Sequence, residues 1–435
     1  MRISLYLLIL VACLSACKSG PFSLIKPASP HEQYENKLIS AGLDKNTMGQ
    51  RWISKSKSLL NEAKQIKLPY KEMGYFAAEK IEGAAFNFNL ERGQKLTATL
   101  STQSISGFAI YMDIWEQKEN GEFKKLAFAD SSGASLQLEA KRSGIYLLRL
   151  QPELLVSGSY TLELNVGPSL AFPLKNTSRK QIQSFYGVGR DNGTRKHEGV
   201  DIFSSFRTPV LAVADGTVTR VNENNLGGRV VWFRPKGKDY TLYYAHLDEQ
   251  IATEGSEVAL GDTLGLMGNT GNAKTTPPHL HFGLYTSGGA IDPLPFIDPT
   301  ISPTPKISSD ISKLNTTLRT LNNTVKFIDN QQNEASVNLK QHTIARVLAA
   351  SGNQYKIELP DGKVGYVSAN LLIATKPLTT RKVEANSQTL YDSPNLAAGI
   401  KARLPVGQTV TVLGNFDNFQ LVTTADNTIG WVSSK

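Results

Sequence analysis

Two spacings of hydrophobic residues divide the first 170 positions of the chain. In residues 32–66 the apolar positions recur near a period of about 3.6, which predicts two short helices separated by Gly42 and Gly49. In residues 74–166 the period becomes two, as in the alternating segment 86–90, and turn residues separate the short apolar runs. The second spacing predicts a β-sandwich.

Alternating runs continue in the central part of the chain. Four of them, at 210–213, 217–221, 229–233 and 240–245, are short and rich in β-branched or aromatic residues. Runs of this kind, separated by glycine-containing turns, predict strands of an antiparallel sheet.

The C-terminal part contains a weak internal repeat. Gly-Tyr-Val-Ser at 365–368 and Gly-Trp-Val-Ser at 430–433 lie 65 residues apart, and each ends a stretch of short predicted strands. A Gly-aromatic-Val segment near the end of a small β module resembles the bacterial SH3-like repeats. That resemblance implies a role in binding cell-wall peptides, and small barrels that serve only as spacers are the alternative interpretation.

Composition limits the kind of site that the chain can hold. A length of 435 residues predicts two to four domains, and both cysteines lie in the first 17 residues, which excludes a cysteine-ligated metal site further on. The formal net charge is +9, but residues 171–300 contain 13 basic and 13 acidic residues. Because the basic excess lies in the flanks, the sequence argues against a nucleic-acid enzyme.

The N-terminus has the features of an export signal. Arg2 precedes an apolar run at 5–14, and the small residue Ala16 precedes Cys17. The segment resembles the bacterial lipobox, which implies that Cys17 is lipidated and anchors the chain to the membrane; a plain secretory signal cut near Ala16 is the alternative. Lys18 favours the outer membrane, facing the periplasm, in a Gram-negative cell. No other apolar run is long enough to be a transmembrane helix.

Four of the six histidines accompany one aspartate in the central part of the chain: His197, Asp201, His246, His279 and His281. Residues i and i+2 of a strand face the same side, so both histidines of the pair 279–281 are expected in one cleft. Catalytic zinc sites use three protein ligands and an open position, and His197, Asp201 and one histidine of the pair meet that count. The remaining histidines could then move protons. Histidines that are merely core or surface residues are the alternative.

These residues also carry a resemblance to a known family. His-x-Gly-x-Asp at 197–201, a lone histidine at 246 and His-Leu-His-Phe at 279–282 resemble the lysostaphin/LytM-type zinc endopeptidases of bacterial cell walls. The resemblance implies an antiparallel β-groove and hydrolysis of peptide bonds in peptidoglycan stems or cross-links. It also implies one Zn²⁺ per chain, ligated by His197, Asp201 and His281, with His246 and His279 as the catalytic histidines.

One departure and three further hypotheses accompany the resemblance. Relatives commonly carry Gly-Pro before the histidine pair, whereas this chain has Pro277-Pro278, which is expected to stiffen that loop. Some relatives have lost metal ligands and activate amidases, which is the alternative function, and others cleave proteins rather than wall peptides. The large N-terminal region also raises the hypothesis that it covers the groove.

The expected fold class is therefore mainly β and multidomain, with a helical N-terminal segment, a jelly-roll-like sandwich, a central β-groove and small SH3-like barrels. The expected boundaries are 1–17 for the signal and lipobox, 18–73 for the tether and helices, 74–168 for the sandwich, 171–300 for the zinc peptidase, 301–320 for a linker, and 321–375 and 376–435 for the SH3-like domains.

Overall fold

The computed structural model describes residues 28–103, 108–130, 135–175, 178–329, 336–384 and 386–434. The described part of the chain begins with two helices, α1 (Pro30–Ser40) and α2 (Thr47–Ser58). Helix α1 has a capping box, because the Ser29 hydroxyl accepts the Glu32 backbone N–H and the Glu32 carboxylate accepts that of Ser29. Cys17 and the export signal lie outside the described residues.

The expectation of helix up to residue 66 was wrong in its last part. Helix α2 ends at Ser58, and Lys64–Gln65 instead forms a short strand, β1, which is parallel to the sandwich strand Ala84–Leu90. The apolar residues Leu59 and Ala63 are buried against the sandwich without a helix between them. The spacing of these apolar residues therefore reflects their contact with the sandwich and not a helix.

The sandwich has two layers of mainly antiparallel strands. One sheet has the order β1-β3-β8-β5-β6, and strands β2, β9, β4 and β7 belong to a larger second sheet. Alternate side chains of both layers form one large hydrophobic core. The strands are β2 (Tyr70–Phe76), β3 (Ala84–Leu90), β4 (Gln94–Gln103), β5 (Ile110–Gln117), β6 (Phe123–Asp130), β7 (Leu136–Glu139), β8 (Gly144–Pro152) and β9 (Gly158–Pro168).

A 10-stranded sheet with the central order β10-β13-β20-β17-β16-β15-β18 follows the sandwich. Its strands are β10 (Ile182–Ser184), β11 (Gly189–Arg190), β12 (Arg195–Lys196), β13 (Gly199–Phe203), β14 (Pro209–Leu211), β15 (Gly216–Asn224), β16 (Gly228–Pro235), β17 (Thr241–Gln250), β18 (Glu257–Val258), β19 (Thr263–Met267), β20 (His279–Thr286) and β21 (Gly289–Ile291), with β11 and β12 paired apart from it. A short helix, α3 (Leu294–Ile297), ends this part.

The two faces of this sheet have different roles. Leu242, Tyr244 and Phe282 belong to the main hydrophobic core on one face. Tyr243 and Ala245, which alternate with them along β17, belong to a smaller cluster on the other face. The groove therefore lies on the second face.

The C-terminal strands form two small β modules. The first shares the large sheet of the sandwich, because β2 pairs with β25 through Met73 and Ala350. The repeated tetrapeptides lie in β27 and β34. The strands are β22 (Thr317–Thr320), β23 (Val325–Asp329), β24 (Ser336–Leu339), β25 (Ile344–Ser351), β26 (Gln354–Glu358), β27 (Val364–Ser368), β28 (Leu372–Ala374), β29 (Thr379–Lys382), β30 (Gln388–Tyr391), β31 (Ile400–Leu404), β32 (Thr409–Phe416), β33 (Phe419–Thr423) and β34 (Ile429–Ser433).

The sandwich contacts the central sheet on the side of α3. The Leu170 backbone N–H donates to the Phe296 carbonyl at 2.9 Å, and Lys238 forms an ion pair with Glu139. In the part of the chain that the structure describes, no helix is both long and apolar enough to cross a membrane.

Helix α1 generates a prediction about pH and stability. His31 is buried against the Trp52 ring and donates from Nε2 to the Gln151 side-chain oxygen at 2.7 Å. Burial, followed by the charge of Arg149, lowers the pKa of His31 from 6.5 to about 4. The unfolded chain binds a proton at His31 more readily than the folded chain does. The stability that comes from the buried, neutral His31 is therefore complete above pH 6.5 and is lost as the pH falls towards 4.

We expect the free energy of unfolding to fall by about 2 kcal/mol more between pH 7.5 and pH 5 in the wild-type chain than in a His31→Gln variant. Urea unfolding followed by tryptophan fluorescence at the two pH values measures this difference. Equal losses in the two proteins would contradict the assignment of the buried neutral imidazole.

Candidate metal centre and groove

The register of two neighbouring strands brings the predicted residues to one face. In the pairing of β13 with β20, Asp201 lies opposite His281 and Phe203 lies opposite His279. On the other side of β20, Ala245 of β17 lies opposite His281. Because alternate residues of a strand share a face, His279, His281 and Asp201 all project into the groove.

Three donor atoms converge at the centre of this face. His197 Nε2 lies 3.0 Å from Asp201 Oδ1 and 2.9 Å from His281 Nδ1, and His281 Nδ1 lies 3.1 Å from Asp201 Oδ1. Ligands of a tetrahedral zinc ion, with bonds of about 2.0–2.1 Å, are separated by about 3.3 Å. Two imidazole nitrogens and one carboxylate oxygen in a triangle of this size fit a zinc ion with an open fourth position.

Neighbouring groups fix the orientation of these donors. His197 Nδ1 lies 2.9 Å from the Phe185 carbonyl oxygen, which can only accept, so Nδ1 carries the proton and the Nε2 lone pair faces the centre. An Arg190 guanidinium nitrogen donates to Asp201 Oδ2 at 2.6 Å and to the Ser184 hydroxyl at 2.7 Å. Outer contacts of this kind hold metal ligands in place before an ion binds.

The electrostatics of the centre favour the ligand form of each group. Burial alone would raise the pKa of Asp201, but the hydrogen bonds with His197 and His281 outweigh it and hold that pKa well below its usual range. Burial also lowers the pKa of His281. An ionised carboxylate and a neutral imidazole are the protonation states that bind a metal.

The backbone of β17 departs from regular strand geometry at His246. Strict alternation along β17 would place His246 on the same face as Leu242 and Tyr244. Instead, those two side chains lie in the core and His246 lies in the groove. His246 has a φ of 64°, in the left-handed region, and the strand continues beyond it to Gln250. A left-handed residue within a bulge reverses the alternation, at a cost of roughly 1–2 kcal/mol for a residue other than glycine.

The two remaining histidines face each other beside the centre. The rings of His246 and His279 are 4.9 Å apart between centroids. His246 Nδ1 donates to the Thr270 carbonyl at 2.8 Å, and His279 Nδ1 donates to the Pro277 carbonyl at 2.9 Å. In both rings Nε2 is therefore the nitrogen left as an acceptor.

Burial, followed by the nearby ring of His279, lowers the pKa of His246 to about 4. His246 is thus neutral at neutral pH and can accept a proton. The Phe203 ring stacks on His279 at 4.8 Å and limits its rotation. The Pro277 carbonyl, in the diproline segment, also orients His279 through its hydrogen bond with Nδ1.

All five predicted residues line one groove of about 710 Å³. Every residue that lines it lies between Gln183 and Tyr285, so none of the described residues of the helices or the sandwich covers it. The hypothesis of a covered groove therefore has no support among the described residues. One end of the groove contains three aromatic residues, Trp232, Tyr243 and Tyr285, with Glu198 beside them.

Sequence reasoning missed the contacts that orient the centre. Arg190 lies in the short hairpin of β11 and β12 before His197, and its contact with Asp201 depends on how that hairpin folds back. The carbonyl groups of Phe185 and Thr270 carry no side-chain signal at all. The aromatic residues Trp232 and Tyr243 are part of the alternating runs and could have been recognised as members of the groove face.

Comparison with known families agrees with this geometry. Residues 195–293 match Peptidase family M23, and residues 389–435 match the bacterial SH3 domain. The central part of the chain is therefore a family M23 peptidase domain, and the last β module is an SH3-like domain.

Curated relatives match the same central part. The chain is 34% identical over 140 residues to the L-Ala--D-Glu endopeptidase of Bacillus subtilis, covering 29% of this chain and 42% of that protein. It is 33% identical over 110 residues to the peptidoglycan DD-endopeptidase ShyA of Vibrio cholerae, covering 25% of each. The chain thus spans less than half the length of these relatives.

A solved structure is also similar. The catalytic domain of the antimicrobial peptidase lysostaphin from Staphylococcus simulans is 31% identical, and the match covers 26% of this chain and 87% of that one, with a TM-score of 0.24.

A glycine beside the centre generates a prediction. A Cβ atom at Gly199 would lie 2.8 Å from Cε1 and 2.9 Å from Nε2 of the His281 ring, and 2.5 Å from the Phe282 carbonyl oxygen. Because the paired strands cannot separate easily, the His281 ring would have to move. We expect a Gly199→Ala variant to bind zinc roughly 10–100-fold more weakly, as measured by titration against a competing chelator.

Gly288→Ala is the matched control, because its added Cβ would meet only ordinary contacts at 3.7 Å. Circular dichroism of both variants checks that they fold. Unchanged zinc affinity in a folded Gly199→Ala protein would show that His281 does not need this close approach.

Proposed function

We propose that this chain is a zinc-dependent endopeptidase that hydrolyses peptide bonds of peptidoglycan stems or cross-links in the bacterial envelope. The observation that carries the proposal is the triangle of His197, Asp201 and His281 donors, with His246 and His279 beside it. The similarity to endopeptidases that are named for peptidoglycan or for its peptides supports the substrate class.

Each group of the site has a role that follows from its contacts. His197 Nε2, His281 Nδ1 and Asp201 Oδ1 would hold the zinc ion, and Arg190 keeps the second carboxylate oxygen of Asp201 turned away from it. Zinc bound there would act as a Lewis acid on the substrate carbonyl and activate a water molecule.

Proton transfer falls to the two histidines whose Nε2 atoms face the groove. A neutral imidazole can take a proton from the attacking water and return it to the leaving amine, which contributes roughly 10²–10⁴-fold to a hydrolytic rate. His246 and His279 are both held by carbonyl groups at Nδ1, so either can serve without turning its ring.

The flanking parts of the chain suit an enzyme of the cell envelope. We propose that Cys17 is lipidated and that this anchor holds the chain at the envelope. The peptidase domain would then reach wall peptides from the membrane surface. We further propose that the C-terminal SH3-like modules bind cell-wall peptides. The family match at 389–435 supports the second of these proposals.

The amidase-activator hypothesis has less support than hydrolysis. It rests on relatives that have lost metal ligands, whereas this chain retains all three donors at mutual distances of 2.9–3.1 Å. A peptidase that acts on proteins shares the same chemistry, and soluble-protein cleavage with inert murein would favour it.

A pair of variants separates metal binding from proton transfer. We expect His281→Ala to lose most of its bound zinc and its activity together, because one of three ligands is gone. We expect His246→Ala to keep one zinc ion per chain while its kcat/KM on a soluble cross-linked muropeptide falls by about 100-fold or more. Zinc analysis and product chromatography measure the two effects.

His342→Asn serves as the matched control. His342 lies in the C-terminal modules with a φ of 64°, which asparagine tolerates well, so neither zinc content nor rate should change. Full activity in a zinc-free His281→Ala protein would refute the proposed mechanism, and full activity in His246→Ala would remove His246 from it.

A further inference from the structure

The groove continues beyond the metal centre into a corner of three aromatic rings. Trp232, Tyr243 and Tyr285 belong to adjacent strands and, with Val230 and Ala245, form the cluster on the groove face. The Tyr243 ring lies 5.9 Å from the His281 ring between centroids. A substrate group in this corner would therefore be a close neighbour of the bond that is cut.

The three rings form the walls of a corner and not a flat platform. The Trp232 ring is inclined by 47° to Tyr243 and by 55° to Tyr285, and the two tyrosine rings are inclined by 89°. Stacking of a sugar ring needs one exposed flat face. Rings that are inclined to one another border the corner in more than one plane, and the negative faces of aromatic rings attract a compact cation.

A missing side chain opens this corner. A Cβ atom at Gly283 would lie 2.9 Å from Cε2 of Tyr285 and 3.3 Å from the Glu198 carbonyl oxygen. The glycine therefore lets the Tyr285 ring lie against the sheet and keeps the floor of the groove clear between His281 and the aromatic rings.

Glu198 supplies a negative charge at the rim of the corner. Its Oε2 accepts a hydrogen bond from the Tyr285 hydroxyl at 3.1 Å, and its Oε1 has no hydrogen bond among the described residues. Burial is the main reason that the pKa of Tyr285 is raised, and Glu198 raises it further, with a larger effect than the opposing charge of Arg195. Glu198 is thus the charged group with the strongest influence on the Tyr285 hydroxyl.

We propose that this corner is a specificity subsite for a substrate residue whose side chain ends in an ammonium group, as in the diamino acids of wall peptides. The aromatic faces of Trp232, Tyr243 and Tyr285 would surround the cation, and Glu198 Oε1 would accept its hydrogen bond. The inference rests on the proposed endopeptidase function, because it concerns the residue next to the bond that this activity would cut.

The test compares two stem peptides that differ at one group. One peptide carries a free side-chain amine and the other carries the same amine acetylated, and both are assayed with the zinc-loaded chain from residue 18 onward. We expect a KM about 10-fold lower for the free amine, with a similar kcat, since the cation contributes mainly to binding. Calorimetric titration with uncleaved analogues of the two peptides gives the same ratio without catalysis.

Variants assign the preference to named groups. Glu198→Gln should abolish most of the preference for the free amine, measured in each variant as the ratio of the two KM values, and Trp232→Leu should reduce that ratio about threefold or more. Glu223→Gln, a change of an exposed glutamate that does not line the groove, should keep the full preference.

The outcomes separate this inference from the proposed function. Chelator-sensitive cleavage of both peptides with equal KM would overturn the subsite and leave the endopeptidase intact. Binding of a peptide-free muramyl disaccharide that is lost in Trp232→Leu, without any amine preference, would also overturn it in favour of a sugar site. No chelator-sensitive cleavage of either peptide would count against the proposed function itself.

Discussion

The pairing of β13 with β20 is the constraint on which the site depends. It sets Asp201 directly opposite His281, on two strands whose other faces are buried in the core. A slip of either strand by one residue would turn its ligand side chain to the opposite face. The hydrophobic core therefore fixes the metal centre, because Val200, Ile202, Leu280 and Phe282 can be buried only in the register that exposes the ligands to the groove.

The same sheet holds the remaining groups by backbone contacts. His197, His246 and His279 each direct Nδ1 to a carbonyl oxygen of a neighbouring loop, so all three rings direct Nε2 away from that carbonyl. His246 reaches the groove because its left-handed backbone interrupts the alternation of β17. Part of the stability of the fold is thus given up to place the His246 ring in the groove, as is common at functional sites.

Much of the strand content, and the grouping of the five candidate residues in one groove, could be predicted from the sequence, because alternation and the spacing of the histidines are local signals. The helix predicted up to residue 66 was wrong, since apolar side chains at helical spacing can also be buried by an irregular segment against a sheet. In the sheet that the sandwich shares with the first C-terminal module, β2 pairs with β25 by backbone hydrogen bonds. The pattern of side chains along the sequence does not indicate this pairing. The Arg190 contact with Asp201 depends in the same way on the path of the β11–β12 hairpin.

Digestion of purified peptidoglycan tests the central claim most directly. The chain without its signal segment would be incubated with sacculi in three states: as purified, after removal of metal by a chelator, and after zinc is restored, with mass analysis of the released fragments. The account predicts a loss of cross-linked or intact stem peptides that stops with the chelator and returns with zinc. Cleavage that persists without metal, or no cleavage by a protein with one bound zinc ion per chain, would contradict it.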